Sequence, residues 1–111
     1  MNVHECVVNG VTVLEVEGRI DSVTAPDFEA QLVAALGTAQ RLVVDLRHLL
    51  YISSAGFRVL YRAVTAAKQN NGKLVLCGLS ATVAELFAIA GFNRLFTITA
   101  SREEGVTAVA S

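Results

Sequence analysis

Leu50-Tyr51-Ile52-Ser53-Ser54-Ala55-Gly56-Phe57 is the stretch on which the fold turns. Apolar residues lead into two serines, and then Phe57, Leu60, Tyr61 and Val64 recur at helical spacing. Arg58, Arg62 and, beyond the last of them, Lys68 are available to face water. The segment therefore reads as a strand-side connection meeting a helix start. First-turn N–H groups at such a start have no partner inside the helix and point outward. Ser54 is the expected N-cap. Gly56 keeps the first turn free of side-chain bulk, and Asn70-Asn71-Gly72 ends the helix.

Upstream of this stretch, Val3–Val8 and Val11–Val16 flank Asn9-Gly10, a two-residue hairpin turn signal. Gly18-Arg19-Ile20-Asp21-Ser22 breaks the pattern and is expected to be a loop. A helix follows, with Thr24 as cap, Pro26 in its first turn and Asp27 at the positive end of the dipole. Phe28, Leu32, Ala35 and Leu36 form its buried face, and Gly37 is expected to end it. Arg41–Leu46 is short and β-branched, as a central strand covered on both faces would be. It reaches Ser53 through a connecting stretch that includes His48, Leu50 and Ile52.

Downstream, Lys73–Cys77 reads as another buried strand. Ser80 caps a third helix with Val83, Leu86, Phe87 and Ala90 as its inner stripe, stopped by Gly91. Phe96–Thr99 and Arg102–Val109 give a last strand and a terminal helix. Strands alternating with helices imply an α/β domain: a central mixed sheet of four or five strands, mostly parallel after the hairpin. The whole chain, 1–111, is expected to be one domain.

Composition narrows the function. Hydrophobic residues make up 53% and charged ones 17%, against about 25% charged in an average domain, so an apolar partner-binding patch is expected. Nine basic and ten acidic residues give a formal charge of −1, and no basic stripe offers a driving force for nucleic acid. Every apolar run ends well before the roughly 20 residues a membrane span requires. The N-terminus lacks a basic start followed by an apolar core, so a cytoplasmic location is expected, without membrane insertion. Cys6 and Cys77 stand singly in apolar runs and read as buried reduced thiols.

Ser54 admits two readings from the residues alone. It can cap a helix, worth about 1 kcal/mol. It can also accept a phosphate, whose roughly −1.5 to −2 charge the helix N-terminus tolerates but a covering partner does not. A nucleophile elbow is the competing chemistry, but Ile52 replaces the first glycine of that motif and no histidine follows Ser54. Asp21, Asp45, His4 and His48 form no ligand or catalytic cluster in the sequence, and no phosphate-binding glycine loop is present. No cofactor, metal or enzymatic activity is expected.

Gly18-Arg19-Ile20-Asp21, Val43-Val44-Asp45-Leu46, Tyr51-Ile52-Ser53-Ser54-Ala55-Gly56-Phe57, Asn71-Gly72-Lys73-Leu74, Leu86-Phe87 and Ala90-Gly91-Phe92 resemble STAS domains, and among them bacterial anti-sigma factor antagonists. The resemblance covers nearly the whole chain. It implies an unphosphorylated form that binds an anti-sigma factor with serine kinase activity and thereby frees a sigma factor. The kinase inactivates its antagonist by phosphorylating the serine at the helix start, and a PP2C-type phosphatase restores it. Matching motif to motif places that serine at Ser54, with Ser53 as a rival acceptor. Asp21, Ser53, Ser54, Gly56, Phe57 and Arg58 are then the expected partner-binding residues. This chain departs from the best-known members in having Ser53 where they carry Asp, Ala55 where Ser or Thr is frequent, and Arg58 where they have a second glycine. Arg58, one helical turn from Ser54, is expected to temper a phosphate's charge or touch the partner. The same fold also serves as a subunit of membrane lipid-transport complexes, the alternative role.

Overall fold

Asn9 and Gly10 both take positive φ, 51° and 79°, the geometry that a tight hairpin between twisted strands demands. They join β1 (Asn2–Val8) to β2 (Val11–Ile20) as an antiparallel pair. The computed structural model, which describes residues 1–110, then alternates α1 (Ala25–Thr38), β3 (Arg41–Ile52), α2 (Ser54–Gln69), β4 (Lys73–Cys77), α3 (Ala81–Ala90), β5 (Thr97–Thr99) and α4 (Arg102–Ala110). The sheet order is β1-β2-β3-β4-β5, with β2 through β5 parallel. The α/β class and mixed sheet expected from the alternation are what the chain forms.

One sheet face carries α1, α2 and α3. Leu14, Val16, Ile20, Leu42, Val44 and Leu46 lie under Phe28, Leu32, Leu60 and Phe87. Among the described residues the other face carries α4 alone, whose Val106 and Val109 cover Val11, Val13, Val43, Val75 and Cys77. Residues Leu42 to Leu46 of β3 are all buried, as a strand covered on both sides requires.

Several local expectations are corrected. Gly18-Arg19-Ile20 is strand, not loop, because β2 pairs with a β3 that continues past Leu46 to Ile52. Two register shifts, each giving β3 one extra residue, let the pair stay bonded, and the second leaves Leu50 between the partners of Gly18 and Arg19. Helix α1 passes through Gly37 to Thr38, since Gly37 does not adopt the left-handed conformation that Gly91 adopts (φ 76°) to end α3. Tyr61 is 49% exposed, the inner face of α2 being completed by Val59, Ala63 and Ala67 instead. Ala90 is exposed and Leu86 only half-buried, so α3 leans on the core through Val83 and Phe87. Cys77 is buried as expected, but Cys6 on the edge strand is half-buried; both are free thiols.

Candidate partner-binding site at the start of helix α2

Parallel strands β2 and β3 finish side by side at the pair Ile20 and Ile52. The next residue of each, Asp21 and Ser53, leaves from the same end of the sheet. The Ser53 N–H donates to the Ile20 carbonyl at 2.9 Å and binds the two exits together. Open parallel sheets place their binding crevices beyond this carboxyl end of the strands.

The helix start is shifted by one residue from the sequence expectation. Ser53, with φ −91° and ψ 176°, is the N-cap, and Ser54 is the first helical residue. The first helical bond runs from the Phe57 N–H to the Ser53 carbonyl, 3.0 Å, which leaves the N–H groups of Ser54, Ala55 and Gly56 without helical acceptors. Ser53 Oγ caps none of them; it is buried with no hydrogen-bond partner. Ser54 is exposed, and no acidic residue occupies the first turn.

Gly56 is needed at this point for a steric reason. A Cβ there would stand 2.6 Å from Ile52 Cγ1 and 2.7 Å from Ile20 Cγ2, so the first turn rests directly on the strand ends. Phe57 is buried, its ring 4.8 Å from Phe87 edge-on and 5.0 Å from Phe92 in a stack. Gly56 and Phe57, expected among the partner-binding residues, are both buried and seat the helix on the sheet. Arg58 is exposed, one turn from Ser54.

Asp21 also has a local task. Its Oδ1 accepts from the N–H groups of Val23 (3.0 Å) and Thr24 (3.1 Å), an Asx-type turn before α1. The two backbone donors, Thr24 first, hold its carboxyl below the usual carboxylate range, with help from Arg19. The Thr24 hydroxyl donates to the Arg19 carbonyl (3.0 Å) and accepts from the Asp21 N–H (2.9 Å), so it does not cap α1 as expected.

Sequence reading missed Arg19 and Tyr51. They are cross-strand partners one step before the strand ends, with the guanidinium carbon 4.6 Å above the ring. The pairing is invisible without the β2–β3 register, and that register depends on two bulges. Val23 and Leu50, 84% and 68% exposed, add apolar surface in the neighbouring loop and bulge. His4 and His48 are exposed, and no group of three metal-capable side chains occurs among the described residues.

A serine hydroxyl and free helix donors thus stand at the carboxyl end of the sheet, in a chain that matches known proteins over most of its length. The model of the STAS domain matches residues 6–105. The candidate anti-sigma factor antagonist BtrV of Bordetella bronchiseptica is 39% identical over 102 residues, covering 91% of this chain and 88% of that protein. The anti-sigma-B factor antagonist of Bacillus subtilis is 30% identical over 93 residues, 84% and 85% of the two chains. Among solved structures, the anti-sigma factor antagonist SpoIIAA in its unphosphorylated form superposes with a TM-score of 0.79 at 17% identity, over 98% and 96% of the chains. The phosphorylated form of SpoIIAA, a Bacillus cell fate determinant, superposes at 0.70, also at 17% identity, over 97% and 99%. No described helix is long and apolar enough to cross a membrane. The chain belongs to the STAS domain family.

Proposed function

We propose that this chain is an anti-sigma factor antagonist whose unphosphorylated form binds an anti-sigma factor that is also a serine kinase, and that phosphorylation of Ser54 ends the binding. The names of its relatives BtrV and the Bacillus subtilis antagonist support the role. The observation that carries the switch is the contrast between adjacent hydroxyls: Ser54 is exposed, whereas Ser53 Oγ is buried. A kinase reaching into this edge meets Ser54 first.

The physics favours a switch that leaves the fold intact. A phosphate on the first helical residue adds roughly −1.5 to −2 charge at the positive end of the α2 dipole, beside unbonded N–H groups. Arg58 and Arg19 are exposed in the surrounding surface and form no salt bridge among the described residues, while Arg19 acts on Asp21 only at longer range and Asp21 has its Oδ1 committed to backbone donors. A partner seated over this edge must instead desolvate the new charge. A hundredfold loss of affinity requires about 2.7 kcal/mol, within the penalty for one uncompensated buried charge. A PP2C-type phosphatase resets the cycle in this scheme. The domain itself acts as a binding module and contributes no catalytic group.

Intact-mass measurement after incubation with the anti-sigma factor kinase and ATP, followed by peptide mapping, tests the assignment. One phosphate on Ser54, absent from a Ser54→Ala protein, is expected. Phosphate on Ser53, or undiminished phosphorylation of Ser54→Ala, contradicts it.

A further inference from the structure

The second sheet face, opposite the one that carries α2, has its own charged cluster. Glu15, Asp45, Cys77 and Thr99 are register partners in one row across β2, β3, β4 and β5. Arg102, at the start of α4, reaches into that row. Its Nη2 donates to Asp45 Oδ2 at 2.9 Å and also to Glu15 Oε1, and its Nε donates to Asp45 Oδ2 at 3.2 Å. Asp45 is the buried charged residue of the core, 4% exposed, and its Oδ1 accepts from the Arg47 N–H at 3.0 Å.

From this row α4 runs back along the strands. Its nine residues span about 13.5 Å at 1.5 Å per residue. The sheet covers nearly the same distance between the Asp45–Cys77 pair and the Arg41–Lys73 pair, four residues at about 3.3 Å each. At that lower row Arg41 Nη1 donates to the Ala110 carbonyl at 2.7 Å and Lys73 Nζ to the Ala108 carbonyl at 3.0 Å. Two cations thus hold the negative end of the helix, and two carboxylates hold the arginine at its start. Between these anchors the apolar contact is thin, consisting mainly of Val106 and Val109. Gly105 permits the close approach: a Cβ there would lie 3.2 Å from Val43 Cγ1 and 3.4 Å from Cys77 Cβ.

A nine-residue helix is marginal on its own in water, so α4 is helical because it is docked. We infer that α4 is a detachable strap, latched by Arg102 on Glu15 and Asp45, whose release opens the second face of the sheet while β1–β5 and α1–α3 stay folded. The large apolar side chains, Phe28, Leu32, Leu60 and Phe87 among them, all lie on the other face and are untouched by this opening. Release uncovers the strip Val11, Val13, Val43, Val75 and Cys77. The domain would then have two states of different surface, governed by a latch independent of Ser54.

Cys77 reports the opening directly. It is fully buried beneath α4, and burial, reinforced by Asp45, pushes its thiol up to about 12, so the closed state offers neither access nor thiolate. In a Cys6→Ser protein, Cys77 is the only thiol; Arg102 Nη1 lies 3.8 Å from Cys6 Sγ, so serine, which keeps a polar acceptor there, is the replacement used, and every labelling rate is compared within that background. Its labelling by a water-soluble thiol reagent in native buffer should proceed faster than global unfolding and respond weakly to low urea, since local opening exposes little surface. Arg102→Gln should raise the labelling rate roughly tenfold or more by removing charge-assisted bonds. Gly105→Val, which obstructs docking without altering charge, should raise it as well. Both variants should keep a cooperative unfolding transition monitored on the remaining structure. Labelling that occurs only through global unfolding, with the full urea dependence, overturns the inference. So does an unchanged rate in both variants.

Discussion

Helices α2 and α3 both begin at a serine N-cap, and the two starts are chemically opposite. At α3 the Ser80 hydroxyl accepts from the Val83 N–H at 3.2 Å, and Val83 is buried. At α2 the Ser53 hydroxyl accepts from nothing, and the residue matching Val83 is Gly56. A start that serves only the fold has its donor satisfied and its side chain packed. The α2 start has its donors unspent and its side chain removed, so the helix sits low on the strand ends with Ser54 at the surface. The difference marks where local stability was left incomplete, which is where a ligand or a modification can be accommodated.

The largest effect expected from breaking this contrast is at Gly56. Gly56→Val forces Ile52 and Ile20 aside and should cost about 1–3 kcal/mol by overpacking, read as a lower urea midpoint. Because it lifts the first turn, it should weaken anti-sigma factor binding too. Ser80→Ala should cost about 1 kcal/mol, the ordinary value of a working cap. Ser53→Ala at the equivalent place should change stability by no more than about 0.5 kcal/mol, since the hydroxyl it removes is buried without a partner. Equal losses for the two serines in parallel denaturations would erase the distinction.

The start of α1 sharpens the comparison further, with the smallest expected effect. There Asp21 supplies the acceptor from outside the helix, and its carboxyl titrates below its ordinary value. Between the folded and unfolded values the unfolded chain binds more protons, so stability rises with pH across that interval. The contribution is complete above about pH 4, near the unperturbed carboxylate value, and is lost as pH falls through the lowered folded value. Urea denaturation at a series of acid pH values should show this slope in the native protein and a shallower one in Asp21→Asn.

What was legible in the sequence was local. Asn9-Gly10, the Ser80 cap, Gly91 and the apolar stripe of α1 act within a few residues, and each does what its chemistry predicts. Element order followed from them. The N-cap was misplaced by one residue because Ser53 and Ser54 are the same residue type, and what distinguishes them is backbone bonding, Ser53 to Ile20 and Phe57 to Ser53. Phe57 belongs to the helical period of α2, and its neighbours Phe87 and Phe92 come from 30 or more residues away. The length of β3 was missed because bulges interrupt its alternation at Leu46–Arg47 and at Leu50. The Arg102 latch joins residues 57 and 87 positions apart, a separation at which no pattern in the chain connects them.

The most direct measurement is calorimetric titration of the anti-sigma factor kinase with this protein in two forms, unmodified and phosphorylated at Ser54, accompanied by thermal unfolding of each. The account predicts an affinity about a hundredfold lower for the phosphorylated form, some 2.7 kcal/mol, with an unfolding temperature that does not fall. Equal affinities for the two forms, or a phosphorylated domain that loses binding because it has unfolded, would contradict it.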